Sequence, residues 1–323
     1  MGKPEVTSRR PPRVQALALL ATGLAVLLGV GLGAGPVTER TVAQSVADQS
    51  RLRTQVDQLQ HRADRLAAEA SAADSVLAAL SRPLVGQALH GRTVVVVVSP
   101  RAARSDVRRA RAALSDAGAT VVATASLTDD FVDPALAQSP LEDLALRLVP
   151  PGVEFAEGAT AIERVAAVLA GSLVVVPAGD APPAARPDRD AAEVIAGLDE
   201  LDALRLAGPP GVRAELAVLV TGNDPAAAEP ALTALARALD AAGRGTVVAG
   251  PGDASAGPLR WVRDARAPGL GDVASIDHAG STAGRVALAL ALAEQLDGGS
   301  GAYGTGRRAD AVIPRVGAGA RAG

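Results

Sequence analysis

Three histidines, no cysteine and one methionine, at position 1, bound the chemistry open to this 323-residue chain. Disulfides, zinc–thiolate sites and cysteine nucleophiles are excluded. A hydrolase needs a nucleophile, a base and an acid that orients the base. His61 falls in a long heptad-patterned segment and His90 just before the first apolar strand. Asp277-His278 follows the last strand, near Ser281 and Thr282. That leaves one candidate base, with no G-x-S-x-G beside it, so an esterase-like triad is not expected. Soft metals need thiolate, thioether or imidazole ligands, and the soluble part of the chain has almost none. Hard cations need carboxylates. Asp180, Asp224 and Asp253 each close a loop of turn residues, in Pro177-Ala178-Gly179-Asp180, Thr221-Gly222-Asn223-Asp224 and Gly250-Pro251-Gly252-Asp253. These three, with His278, are the candidate metal residues. The competing reading is that Gly, Asp, Asn and Pro are what turns require. No loop fits G-x-G-x-x-G or G-x-x-x-x-G-K-[ST], and no cofactor is expected.

The elements that must position these residues read as α/β. Thr93–Val98 is an unbroken β-branched run, TVVVVV, of the kind buried on both faces in parallel sheets. Further strands are expected at 120–124, 173–177, 216–220, 246–249 and 272–276. Helices are expected near 105–117, 141–148, 161–170, 191–204, 230–242 and 282–296. ARAALSDAGATVVA (Ala110–Ala123) is echoed by ARALDAAGRGTVVA (Ala236–Ala249), each following an apolar strand and a polar turn. Two β-α-β units of one build predict a doubly wound, mainly parallel sheet domain. In such sheets ligands sit beyond the carboxyl ends of the strands, where the four Asp and His candidates fall.

Ahead of the sheet, Val14–Gly35 is 22 residues without a charge, preceded by Lys3, Arg9, Arg10 and Arg13. About 20 apolar helical residues cross a bilayer's hydrocarbon core. The span is too long for the core of a cleaved signal peptide, and Gly33-Ala34-Gly35-Pro36 is a poor cleavage site. The basic flank keeps the N-terminus cytoplasmic and sends the remainder outside. Gly29 and Gly33 form a G-x-x-x-G pair, which lets two helices approach closely in lipid.

From Leu52 a 3-4 pattern runs through Val56, Leu59, Ala63, Leu66, Ala70, Ala73, Leu77 and Leu80. That is the periodicity of a coiled-coil seam, ended by Ser81-Arg82-Pro83. The flanking positions give no clear opposite-charge pairs for a parallel dimer. A helix packing back on its own head is the alternative. The expected organisation is a basic tail (1–13), a transmembrane anchor (14–35), a coiled-coil stalk (36–82), an α/β head (83–297) and a flexible tail (298–323). Net charge is −3 and aromatics number four, so nucleic acid is not an expected partner.

The order of an apolar helix, the stalk LRTQVDQLQHRADRLAAEASAAD, LVGQALHGRTVVVVVSP, DAGATVVATASLTDDFVDP and SIDHAGSTAGRVALALALAEQLDGGSGAYGTG resembles the actinobacterial copper transporter family of the mycobacterial MctB type. The resemblance covers about residues 14–306. Its most specific parts are SLTDDFVDP (Ser126–Pro134) and the closing segment Ser275–Gly306. It implies copper transport or homeostasis and an outer-membrane label. It also implies kinship with envelope proteins acting in septal peptidoglycan splitting, and so an envelope protein partner. It carries no copper ligands with it. A transmembrane barrel would need many ten-residue strands of alternating polarity, which this head lacks. The expectation is a non-enzymatic, single-pass membrane protein, self-associating through its stalk, with an extracytoplasmic head.

Overall fold

The computed structural model describes residues 39–133, 140–177, 187–252, 257–264 and 272–315. The basic tail, the anchor with Gly29 and Gly33, Asp180, Asp253 and residues 316–323 lie outside these. The chain parts into two compact units, Met1–Ala70 and Ser71–Gly323.

Helix α1 (Glu39–Val85) is 47 residues long. Its length follows from composition, since no proline lies between Pro36 and Pro83 and most positions carry good helix formers. It runs two residues past Pro83, where the seam was expected to stop. Proline there deletes one hydrogen bond of the final turn and leaves the earlier turns intact. Leu52, Val56, Leu59 and Leu66 are 61%, 50%, 62% and 64% exposed. Among the described residues, no helix is long and apolar enough to cross a membrane.

The second unit is a seven-stranded sheet, β1 (Thr93–Val98), β2 (Thr120–Leu127), β3 (Leu204–Ala207), β4 (Leu216–Val220), β5 (Thr246–Ala249), β6 (Ala274–Ile276) and β7 (Ala302–Tyr303). Its order is β3-β2-β1-β4-β5-β6-β7. All pairs are parallel except β2 with β3. β1 is central because a run of valines has no polar face to give to solvent. Val95 and Val97 enter one core, and Val94, Val96 and Val98 the other.

Helices cover both faces. α2 (Arg104–Asp116) joins β1 to β2. It is followed by α3 (Asp129–Val132), α4 (Pro140–Arg147), α5 (Ala161–Leu173) and α6 (Arg189–Glu200). Then come α7 (Glu229–Ala242), α8 (Gly257–Asp264) and α9 (Thr282–Leu296). The two echoed units are β1–α2–β2 and β4–α7–β5. They step outward from the centre in opposite directions, and α2 and α7 lie on opposite faces. Equal hand with opposite direction requires that. The last crossover, β6–α9–β7, steps the same way as β4–α7–β5 but over the other face, so its hand is opposite. Such a crossover is rare, and the polar cluster described below holds its two-residue strand in place.

Several expected elements differ. Residues 173–177 are not a strand. The Thr160–Glu163 capping box starts α5, which continues through Leu173, and only Val174 makes an isolated bridge, to Ala214. Ala214 leads into β4, whose two edges are taken by β1 and β5, so the pairing does not extend. The helix expected over 191–204 stops at Glu200, and Asp202 turns the chain at φ +56. Leu204–Ala207 then pairs antiparallel with β2. β7 comes from the stretch read as a tail. Residues 302–306 return onto the end of β6.

Candidate functional site

The strand order reverses between β1 and β4, and the crevice there is where an open α/β sheet takes a ligand. In this chain the loops that flank it on β1 and β4 bond to each other. Asp224, 6% exposed, accepts from Ser99 Oγ at 2.6 Å, the Gly222 amide at 2.9 Å and the Arg101 amide at 3.2 Å. A Cβ at Gly222 would stand 1.8 Å from the Arg101 carbonyl oxygen. The loops after β1 and β4 therefore interlock backbone to backbone. Asp224 pins the two loops together.

The second rim site lies past β6. Asp277 is fully buried, and each of its carboxylate oxygens accepts two donors. Oδ1 receives the His278 Nδ1 at 2.7 Å and the Thr305 amide at 2.8 Å. Oδ2 receives Arg263 Nη1 at 2.8 Å and the Gly306 amide at 2.9 Å. Burial pushes this carboxyl up. The bonds from His278, Thr305, Arg263 and Gly306 together outweigh burial and hold it below the ordinary Asp value. Arg263 is buried too, and is shared with Ser275 Oγ and the carbonyls of Tyr303 and Arg307. Gly304, at φ +128, passes so close that a Cβ would sit 2.0 Å from Asp277 Oδ1. The cluster ties β6, β7 and α8 together.

His278 occupies the left-handed region at φ +50, and its side chain is 45% exposed. With Asp277 accepting at Nδ1, the neutral ring carries its proton there and keeps a lone pair on Nε2. That nitrogen lies over Gly252, where an added Cβ would be 2.4 Å away. An imidazole oriented by a carboxylate can act as a base or a metal ligand. The hydroxyls expected beside it are already engaged. Ser281 Oγ caps α9 through the Gly284 amide and donates to the His278 carbonyl. Thr282 gives its hydroxyl and its amide to Asp74. Thr305 Oγ1 lies 3.2 Å from Nδ1, the nitrogen Asp277 already holds.

Asp224 and His278 stand at the ends of β4 and β6, with β5 between them, and do not converge. His90 is at the opposite, amino end of the sheet, and His61 is on α1 in the first unit. Among the described residues, no group of three His, Cys, Asp or Glu side chains could hold a metal ion. Arg263 was missed in the sequence because no helix was expected over Gly257–Asp264, where α8 forms. The signal available was Asp277 itself, an acid directly after an apolar strand that needs a buried counter-charge.

The family model described as "Copper transport outer membrane protein, MctB" matches residues 12–314. The chain belongs to this family. It is similar to the copper transporter MctB of Mycobacterium bovis and that of Mycobacterium tuberculosis. Each is 29% identical over 308 residues, spanning 93% of this chain and 98% of the relative. The match to the MctB family runs from the expected anchor, through the stalk, to the strand that Asp277 holds. It therefore covers both compact units.

Proposed function

We propose that this chain is a single-pass membrane protein of the cell envelope that serves copper transport or homeostasis without enzymatic chemistry. In this reading its N-terminus is cytoplasmic, its head is extracytoplasmic, and its stalk binds a second copy. Family membership supports the copper role and membrane association. The observation that carries the self-associating part is the seam on α1. Leu52, Val56, Leu59 and Leu66 stand in solvent at half exposure or more, and an apolar stripe at coiled-coil spacing gains its burial from a partner.

The rim supports a head that positions rather than reacts. At the crevice between β1 and β4 the chain's own loops are bonded to each other through Asp224. At His278 the hydroxyls of Ser281 and Thr282 are engaged in structural bonds. Copper enters here as cargo, and the residues present fit it poorly. Copper(I) favours thiolate and thioether ligands and copper(II) imidazole. Beyond the expected anchor the chain has no Cys, no Met and three dispersed His. Copper handling then runs through an envelope partner or through permeability. A direct channel would instead need a ring of protomers around a polar bore.

Isothermal titration of the purified protein with copper, under reducing and oxidising conditions, tests this. No submicromolar binding is expected. Submicromolar binding that His278→Ala abolishes would restore a direct copper role. A scaffold or regulator of peptidoglycan-splitting machinery at cell separation is the second reading, favoured by the same unpartnered seam. An α/β hydrolase is the third, and it rests on the Asp277–His278 pair alone.

A further inference from the structure

We infer that the stalk pairs with a second copy antiparallel, in the single register that sets Leu66 of one chain against Ala63 of the other. This rests on the stalk reading above and adds direction and alignment to it. In heptad terms Val56, Ala63, Ala70 and Leu77 are a positions, and Leu52, Leu59, Leu66, Ala73 and Leu80 are d positions.

In a parallel dimer like meets like. Ala63, Ala70 and Ala73 would each face their own copies. Three of the nine layers would then lack the side-chain volume that fills a seam. The flanking charges also argue against it, because Glu69 would lie beside Asp74 of the second copy.

In an antiparallel dimer each a position shares a layer with a d position. Centred between residues 64 and 65, the layers are Ala63–Leu66, Leu59–Ala70, Val56–Ala73 and Leu52–Leu77, each occurring twice. Every alanine within the paired span meets a leucine or valine. At the flanking positions the same register brings Arg62 against Glu69 of the second copy, twice. Sliding by one heptad in one direction sets Glu69 against Glu69; sliding in the other sets Arg62 against Arg62. Volume excludes the first of these slides, which also sets Ala63 against Ala73, and charge excludes both. Leu52, Val56, Leu59 and Leu66 are exposed along one unbroken helix and so are available for it. Two such chains anchored in one bilayer would carry their anchors at opposite ends of the stalk pair, which then lies along the membrane surface.

The chain has no cysteine, so single-cysteine variants of the full protein report neighbours without background. Leu59→Cys and Ala70→Cys, differently tagged, are expressed separately and together in membranes and mildly oxidised. The expected result is a disulfide-linked dimer on co-expression, at least tenfold above either variant alone. Arg62→Glu should reduce that yield severalfold, and adding Glu69→Arg to the same chain should restore it. A strong Leu59→Cys dimer in the absence of Ala70→Cys would overturn the antiparallel pairing while leaving stalk self-association standing. Absence of any cross-link, with the uncrosslinked protein sedimenting as a monomer, would overturn both.

Discussion

Replacing Asp277 by Asn should destabilise the head by about 3 kcal/mol. Each oxygen of the carboxylate accepts two donors. Whichever way the asparagine amide turns, its NH2 faces either His278 and the Thr305 amide, or Arg263 and the Gly306 amide. The buried Arg263 also loses its counter-charge. Breaking a buried ion pair costs roughly 3–5 kcal/mol, and a buried donor left without an acceptor about 1–3 kcal/mol. The exposed side of His278 lets water replace part of the loss, which sets the expectation at the lower end. The only tryptophan, Trp261, sits on α8 two residues before Arg263, so urea unfolding of the full protein can be followed by its fluorescence. With a slope of roughly 2–3 kcal/mol per molar, the midpoint should fall by about 1 M. The pH dependence has a definite sign. Because the folded pKa of Asp277 is lowered, its contribution is fully present above the unfolded Asp value near ~4. It is lost as pH falls through the folded pKa. The gap between wild type and variant should therefore narrow in acid. A midpoint shift under about 0.3 M at pH 7 would refute the view that this cluster holds β7 in place.

Asp240 has the opposite sign. Burial first, and then Asp272 nearby, raise its pKa to about 6, so its ionisation opposes folding as pH rises from about 4 through 6. Asp240→Asn, which can still accept from the Thr246 amide, should stabilise the protein by on the order of 1–2 kcal/mol at pH 8 after allowance for solvent screening. It should be close to neutral at pH 4. Equal effects at both pH values would remove the charge argument. For topology, protease added to intact spheroplasts should digest the head and spare the N-terminus. A head protected until lysis, or a mature chain beginning near Gly35, would contradict the anchor.

The core strands were legible because their sequences serve one purpose. TVVVVV and LAVLV have no polar face, so burial on both sides is their only outcome, and their boundaries match β1 and β4. The sheet's edges were not legible. Leu204–Ala207 and Ala302–Tyr303 are too short to show a period. They are strands through tertiary pairing, and in the second case through a buried Arg–Asp pair that links residues 14 apart. Residues 173–177 misled for the complementary reason. They have strand composition, but both edges of β4, the strand they approach, are taken by β1 and β5. At the rim, Asp224 and His278 were visible by type and loop position. What they touch depends on Ser99 and Thr305, 125 and 27 residues away, and no local pattern encodes that.

Sedimentation of the full-length protein tests the account's central claim, that the exposed stalk seam binds a second copy, most directly. Leu59→Glu with Leu66→Glu removes two apolar seam residues per chain, each worth about 1.5–3 kcal/mol when buried, and places charge in their layers. Wild type should sediment as a dimer or larger species, and the double variant as a smaller one. The same mass for both would contradict the claim.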